Sequence, residues 1–167
     1  VAKVVLIFVG GDSNVDRVIE TVSKGDVSHV AGLLFDSAYE STGLKEESDP
    51  YPGVWLHWPD KYNSNPDARF IEVDVPDIEG LKTEARRLLG TPYAYGGCIK
   101  TGIYDLLDIQ LPDKDWTMHC SETWTRLLRN GGANVLPDTE PGCIDPYNLE
   151  TEVLNNFGGQ DVTCKFR

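Results

Sequence analysis

The stretch Asp115-Trp116-Thr117-Met118-His119-Cys120-Ser121-Glu122-Thr123-Trp124 sets a cysteine where a loop turns into a helix. From Ser121 onward, Trp124, Leu127 and Leu128 recur at three- and four-residue spacing. Arg126, Arg129 and Asn130 fall between them, and Gly131-Gly132 stops the run. The pattern predicts an amphipathic helix with Cys120 in its first turn. The first N–H groups of a helix lack internal partners and carry partial positive charge, so a thiolate placed there is stabilised and its pKa falls below the free value of about 8.5. Cys120 is thereby a candidate nucleophile. The competing reading is a small apolar residue packed beneath a helix, and the rest of the chain weighs between the two.

With 167 residues the chain is long enough for one domain with a proper core, and a single domain spanning 1–167 is expected. Hydrophobic residues at 40% and charged residues at 25% place it among globular proteins rather than disordered or fibrous ones. No run approaches the roughly 18 apolar residues of a membrane span. The apolar opening Val4-Val5-Leu6-Ile7-Phe8-Val9 reads as a buried strand and, lacking a basic leader, not as a signal peptide, which favours the cytoplasm. A net charge of −12 argues against nucleic acid and anionic membrane surfaces as partners. The four cysteines Cys98, Cys120, Cys143 and Cys164 show no C-x-x-C spacing, so neither a metal nor another cofactor is expected, and the thiols are read as mostly free.

Along the chain, Lys3 to Val9 predicts a first strand, and Val15, Val18, Ile19 and Val22 one face of a helix closing at Gly25. Val30 to Phe35 reads as a second strand, Asp36-Ser37 as a tight turn and Ala38 to Ser41 as the returning strand, which puts His29 and Glu40 on neighbouring antiparallel strands. Val54 to Trp58 reads as a short strand between two polar loops, and Arg69 to Val75 alternates as a half-exposed strand. A helix with Leu81, Ala85, Leu88 and Leu89 ends at Gly90, followed by the turn-rich Thr91-Pro92-Tyr93-Ala94-Tyr95-Gly96-Gly97. Ile103 to Leu107 suggests a helical turn, Pro146 to Leu154 a helix, and Asp161 to Phe166 a last strand.

A thiol hydrolase needs a thiolate, an imidazole within hydrogen-bond reach and a polar group that orients the imidazole. Cys120, His29 and Glu40 supply the three. His119 adjoins the thiol in sequence but is expected to project elsewhere, with a smaller claim to being the base. His57, between Trp55 and Trp58, is expected to pack or to line a cleft.

At these residues the sequence resembles the circularly permuted papain-like cysteine peptidases and amidases of the NlpC type. The resemblance rests on Ser28-His29-Val30 after a helix, Tyr39-Glu40-Ser41 on the returning strand, the Gly90-Thr91-Pro92-Tyr93 turn, and His119-Cys120-Ser121-Glu122. No histidine follows Cys120, so the order His29, Glu40, Cys120 is that of the permuted branch. The resemblance implies an α+β papain-like fold in which an antiparallel sheet packs against the cysteine-bearing helix. It implies Cys120 as nucleophile, His29 as base and then acid, and Glu40 as the orienting group. It further implies Tyr93 and Ser121 near the substrate or oxyanion, Tyr93 being equally readable as packing for its turn. A cell-wall-type peptide amide is the expected substrate, a lipid amide or ester the alternative, and a silent binding module of the same fold the rival outside enzymes. The 42–67 segment departs from the family pattern and is expected to form a lid or substrate wall.

Overall fold

The continuous apolar run within Ala2–Val9 (β1) supplies buried residues to both faces of that strand, and it becomes the centre of an antiparallel sheet with His29–Leu34 (β2) on one side and Ala68–Val75 (β5) on the other. Ser37–Thr42 (β3), Gly53–His57 (β4) and Gln160–Asp161 (β6) complete the order β4-β3-β2-β1-β5-β6. The helices among the described residues are Ile78–Leu88 (α1), Cys120–Asn130 (α2) and Pro146–Asn156 (α3). This computed structural model describes residues 1–10, 26–94 and 117–167; the expected helix closing at Gly25, the turn at 103–107 and Cys98 lie outside them.

One face of the sheet, carrying Val4, Leu6, Phe8, Val30, Tyr39, Ile71, Val73 and Val75, meets Leu81, Ala85 and Leu88 of α1, Trp124, Leu127 and Leu128 of α2 and Leu149 and Val153 of α3. Period two in the strands and 3.6 in the helices bring these residues together. The other face holds a smaller cluster of Ile7, Val9, Ala31, Ala68, Phe70 and Val162, closed in part by Phe166 stacked on Phe70 at 4.4 Å.

Trp124 fixes α2 on the sheet. Its ring lies over Gly32 so closely that a Cβ there would stand 2.4 Å from it. Its Nε1–H donates to Tyr39 O at 3.2 Å, while the Tyr39 hydroxyl donates to Ala85 O at 2.9 Å and so ties α1 to the same place. A Trp buried this completely stabilises by about 3–5 kcal/mol relative to alanine. Cys120 lies one turn earlier on the Trp124 side of the helix, toward the end of β2 that begins with His29.

Two local expectations are corrected. The β2–β3 turn is Phe35-Asp36, both at φ 55°, because Leu34 pairs with Ser37 and leaves a two-residue loop whose twist demands positive φ. The last strand stops at Asp161, whose Oδ1 accepts the Thr163 N–H at 2.9 Å while Thr163 Oγ1 caps Phe70 N–H at 3.0 Å, turning the chain into a short 3-10 turn at Thr163–Lys165.

Candidate active site

Strand register sets the first half of the site. Glu40 pairs with Ala31, two residues from His29, and Ala38, two residues from Glu40, pairs with His57. Since side chains alternate, His29, Glu40 and His57 share one sheet face on three adjacent strands. His29 Nε2 lies 2.6 Å from Glu40 Oε2, and the Glu40 side chain is wholly buried.

The second half is the start of α2. Met118, two residues before the cysteine, is strapped between its neighbours: its N–H donates to Pro92 O (2.9 Å), and its carbonyl accepts from Ala94 N–H (3.0 Å) and the Ser41 hydroxyl (2.8 Å). Pro92 is bridged in turn to Gly53 on β4, where only a residue without a Cβ fits, since Thr91 O would stand 2.4 Å from one. The 90–94 turn thus sets the height at which α2 begins. His119 caps the helix in extended conformation, its ring accepting the Glu122 N–H and its Nε2 meeting Gly142 O at 3.1 Å.

These two halves meet at Cys120, a buried thiol whose ionisation is influenced by both the His29 and the His119 ring. Burial pushes the Cys120 thiol up, but the two imidazoles overcome it and bring the pKa down to about 6. Burial also works against a charged His29 ring, yet its bonds to Cys120 and Glu40 raise it to about 10. With Nε2 on Glu40, the His29 nitrogen left for the sulfur is Nδ1. His119, expected to project elsewhere, also helps to lower the thiol pKa. Its ring is nevertheless tied to a backbone carbonyl, and its nearest carboxylate, on Glu122, is 3.9 Å away, so it lacks the buried anion that orients His29.

Glu40 is more crowded than sequence reasoning anticipated. Oε2 accepts from His29 and from the Tyr62 hydroxyl (2.6 Å), and Oε1 from His57 Nδ1 (2.6 Å) and the Lys61 ammonium (2.6 Å). His57 Nε2 continues to Asp49 Oδ2 at 3.0 Å, and Lys61 also bonds Glu46. Burial pushes the Glu40 carboxyl up, but the bonds from His29 and His57 hold it well below the ordinary carboxylate range. All these partners except His29 come from the 42–67 segment. The only sequence signal for them is the β4 alternation that sets His57 on the Glu40 side.

Glu40, Glu46 and His57 bring potential ligand atoms within 4.8 Å of one another. The Lys61 ammonium already bridges Glu40 and Glu46, and both His57 nitrogens face carboxylates, leaving no ring lone pair for a metal. The cluster carries its own cations and is not read as a metal site.

Ser121 is fully buried and its hydroxyl donates to Ile144 O at 2.6 Å, so any part it takes in binding an oxyanion falls to its backbone N–H. Tyr93 is 4% exposed, with its ring against Gly43 at 3.1 Å from a Cβ built there, and its residue bridges Met118. Cys143 and Cys164 are free and exposed. The open concavity lined by Arg69, Asp161, Thr163, Cys164 and Arg167 shares no residue with the Cys120–His29 pair.

No helix among the described residues is long and apolar enough to cross a membrane. No family model, curated protein or solved structure matches the chain.

Proposed function

We propose that the protein is a cysteine hydrolase that cleaves an amide bond through a thioester at Cys120, on a papain-like fold of the permuted NlpC type. The observation that supports this reading is the His29 imidazole held at 2.6 Å by the fully buried Glu40 carboxylate, with the buried Cys120 at the start of α2 brought down to a pKa of about 6 chiefly by the His119 and His29 rings. A structural cysteine has no use for such an arrangement, whereas acyl transfer uses each part of it. The 90–94 turn supports the family resemblance, since it straps the backbone just ahead of the cysteine.

In the proposed reaction the Cys120 thiolate attacks the substrate carbonyl carbon, forming a C–S bond and moving the carbonyl electron pair onto oxygen. Backbone N–H groups in the first turn of α2 are suitably placed to stabilise that oxyanion. His29 gives its Nδ1 proton to the leaving nitrogen as the C–N bond breaks. It then takes a proton from water, whose oxygen attacks the thioester carbonyl; the C–S bond breaks, the acid product leaves, and the sulfur departs as thiolate beside the His29 imidazolium, which restores the resting pair. Glu40 stays ionised throughout and keeps the ring oriented, as the orienting acid of a catalytic triad does. The substrate class we infer is a small peptide amide of cell-wall type.

The test is covalent trapping. A set of peptide aldehydes and activated peptide esters is incubated with the protein, followed by peptide mapping and release assays. Label or acyl group on Cys120, absent in Cys120→Ala and strongly slowed in His29→Ala, is the expected result. Equal labelling of Cys143 and Cys164, with no turnover of any ester or amide, would sink the proposal.

A further inference from the structure

We infer that His57 is a permanently doubly protonated positioning residue: it cross-links Glu40 to Asp49 and, with Lys61 and Tyr62, holds the Glu40 carboxylate where it orients His29. This rests on the reading of Cys120 and His29 as a catalytic pair and deepens it, assigning the 42–67 segment a task at the site in place of the expected lid or wall.

A carboxylate has about four lone-pair positions and no proton to give. Glu40 faces four partners, His29 and Tyr62 on one oxygen and His57 and Lys61 on the other, so all four must donate and Glu40 must remain an anion. His57 meets a carboxylate oxygen at each ring nitrogen, Glu40 at 2.6 Å and Asp49 at 3.0 Å, with Glu46 at 3.6 Å. A neutral imidazole has one N–H and one lone pair, and the lone pair would oppose an anion. Both nitrogens therefore carry protons. Its side chain is 2% exposed, so little solvent competes for these bonds.

The cluster is rich in carboxylates, Glu40, Glu46 and Asp49, and a doubly protonated His57 joins Lys61 in neutralising them. Burial and the Lys61 charge lower the His57 pKa, the bonds to Glu40 and Asp49 raise it, and the balance is upward. With both Glu40 oxygens fastened from the 42–67 side, the carboxylate cannot rotate away when His29 loses its proton. A buried cation next to the pair also adds to the positive field that favours the thiolate.

The test reads ring protonation directly. The chain has three histidines, His29, His57 and His119, so ¹⁵N-labelled imidazole spectra are assigned by single His→Gln variants. The inference expects both His57 nitrogens to stay protonated across about pH 5 to 8, the range where a free imidazole changes its charge. Loss of a His57 ring proton near the ordinary value of about 6.5 overturns it.

For the positioning role, iodoacetamide alkylation of Cys120 is followed against pH in His57→Gln, and in His57→Gln/Asp49→Asn, which removes one charge of each sign and guards against misfolding. An upward shift of the thiol midpoint by about one unit, roughly a tenfold loss of thiolate below both midpoints, is expected in each. An unchanged midpoint in a folded variant overturns the role. If instead Cys120 of the unsubstituted protein titrates like an ordinary thiol while His57 keeps both protons, the hydrolase reading has failed and the protonation assignment stands.

Discussion

His29 and His57 bind opposite oxygens of one buried carboxylate, each at 2.6 Å, so the two rings are coupled through Glu40 without touching. A substitution at Glu40 must therefore reach both. In Glu40→Gln the amide presents one carbonyl and one NH2, and the NH2 must face either His29 and Tyr62 or His57 and Lys61, donor against donor. We predict a loss of about 3–5 kcal/mol, the usual cost of breaking a buried ion pair from one side. Urea unfolding measures it, and Cys120 should lose its early alkylation in the same variant.

Stability should fall off toward acid and alkali for separable reasons. Glu40 is held below its ordinary 4.5, so its contribution is complete above that value and is lost as pH falls toward the folded one. His29 is raised from 6.5 to about 10, so its contribution is complete below 6.5 and drains away as pH rises through about 10. Thermal melts across pH should show both limbs. In Cys120→Ser the alkaline limb should move to lower pH, because the thiol supplies the largest upward influence on His29.

The Gly32–Trp124 contact sets where α2 lies. Gly32→Ala would drive a methyl into the indole at 2.4 Å, and the ring is fully buried. Overpacking of this kind costs about 1–3 kcal/mol. Any tilt of α2 that relieves it also displaces Cys120, so the thiol midpoint should rise along with the loss in unfolding free energy. Destabilisation with an unmoved midpoint would show that the 90–94 strap alone positions the cysteine.

Asp36 is a non-glycine residue at φ 55° in an exposed hairpin turn, far along β2 from His29. Asp36→Gly removes the steric cost of that conformation, at some loss of chain entropy in the unfolded state. A net gain of about 0.5 kcal/mol, with Cys120 alkylation unchanged, is the expected result in urea titrations.

Much of this was legible in the chain. Continuous apolar runs located β1 and β2, the tight turn after β2 and the returning strand located β3, period-two alternation located β5, and the spacing of Trp124, Leu127 and Leu128 located α2. That His29 and Glu40 lie on neighbouring antiparallel strands followed from the hairpin, but the register did not, because the turn is Phe35-Asp36 rather than Asp36-Ser37, which sets Glu40 opposite Ala31. Lys61 and Tyr62 were not legible: they sit in a polar Asn- and Pro-rich loop whose composition predicts only exposure, and their bonds to Glu40 depend on how that loop folds back over the sheet. The capping role of His119 was not read from the chain, because a cap directs its side chain back over the first turn, against simple neighbour logic. The end of β6 turned on two side-chain-to-backbone bonds, from Asp161 and Thr163, that no periodicity records.

The central claim is that Cys120 and His29 form a thiolate–imidazolium pair, and the most direct test is the pH dependence of Cys120 alkylation by iodoacetamide, compared with His29→Ala and with Cys143 and Cys164 as references. The account predicts that Cys120 reacts with a midpoint of about 6 and that the midpoint rises toward the ordinary 9.0 when His29 is removed. A Cys120 that titrates with the reference thiols, in both the native protein and His29→Ala, would contradict it.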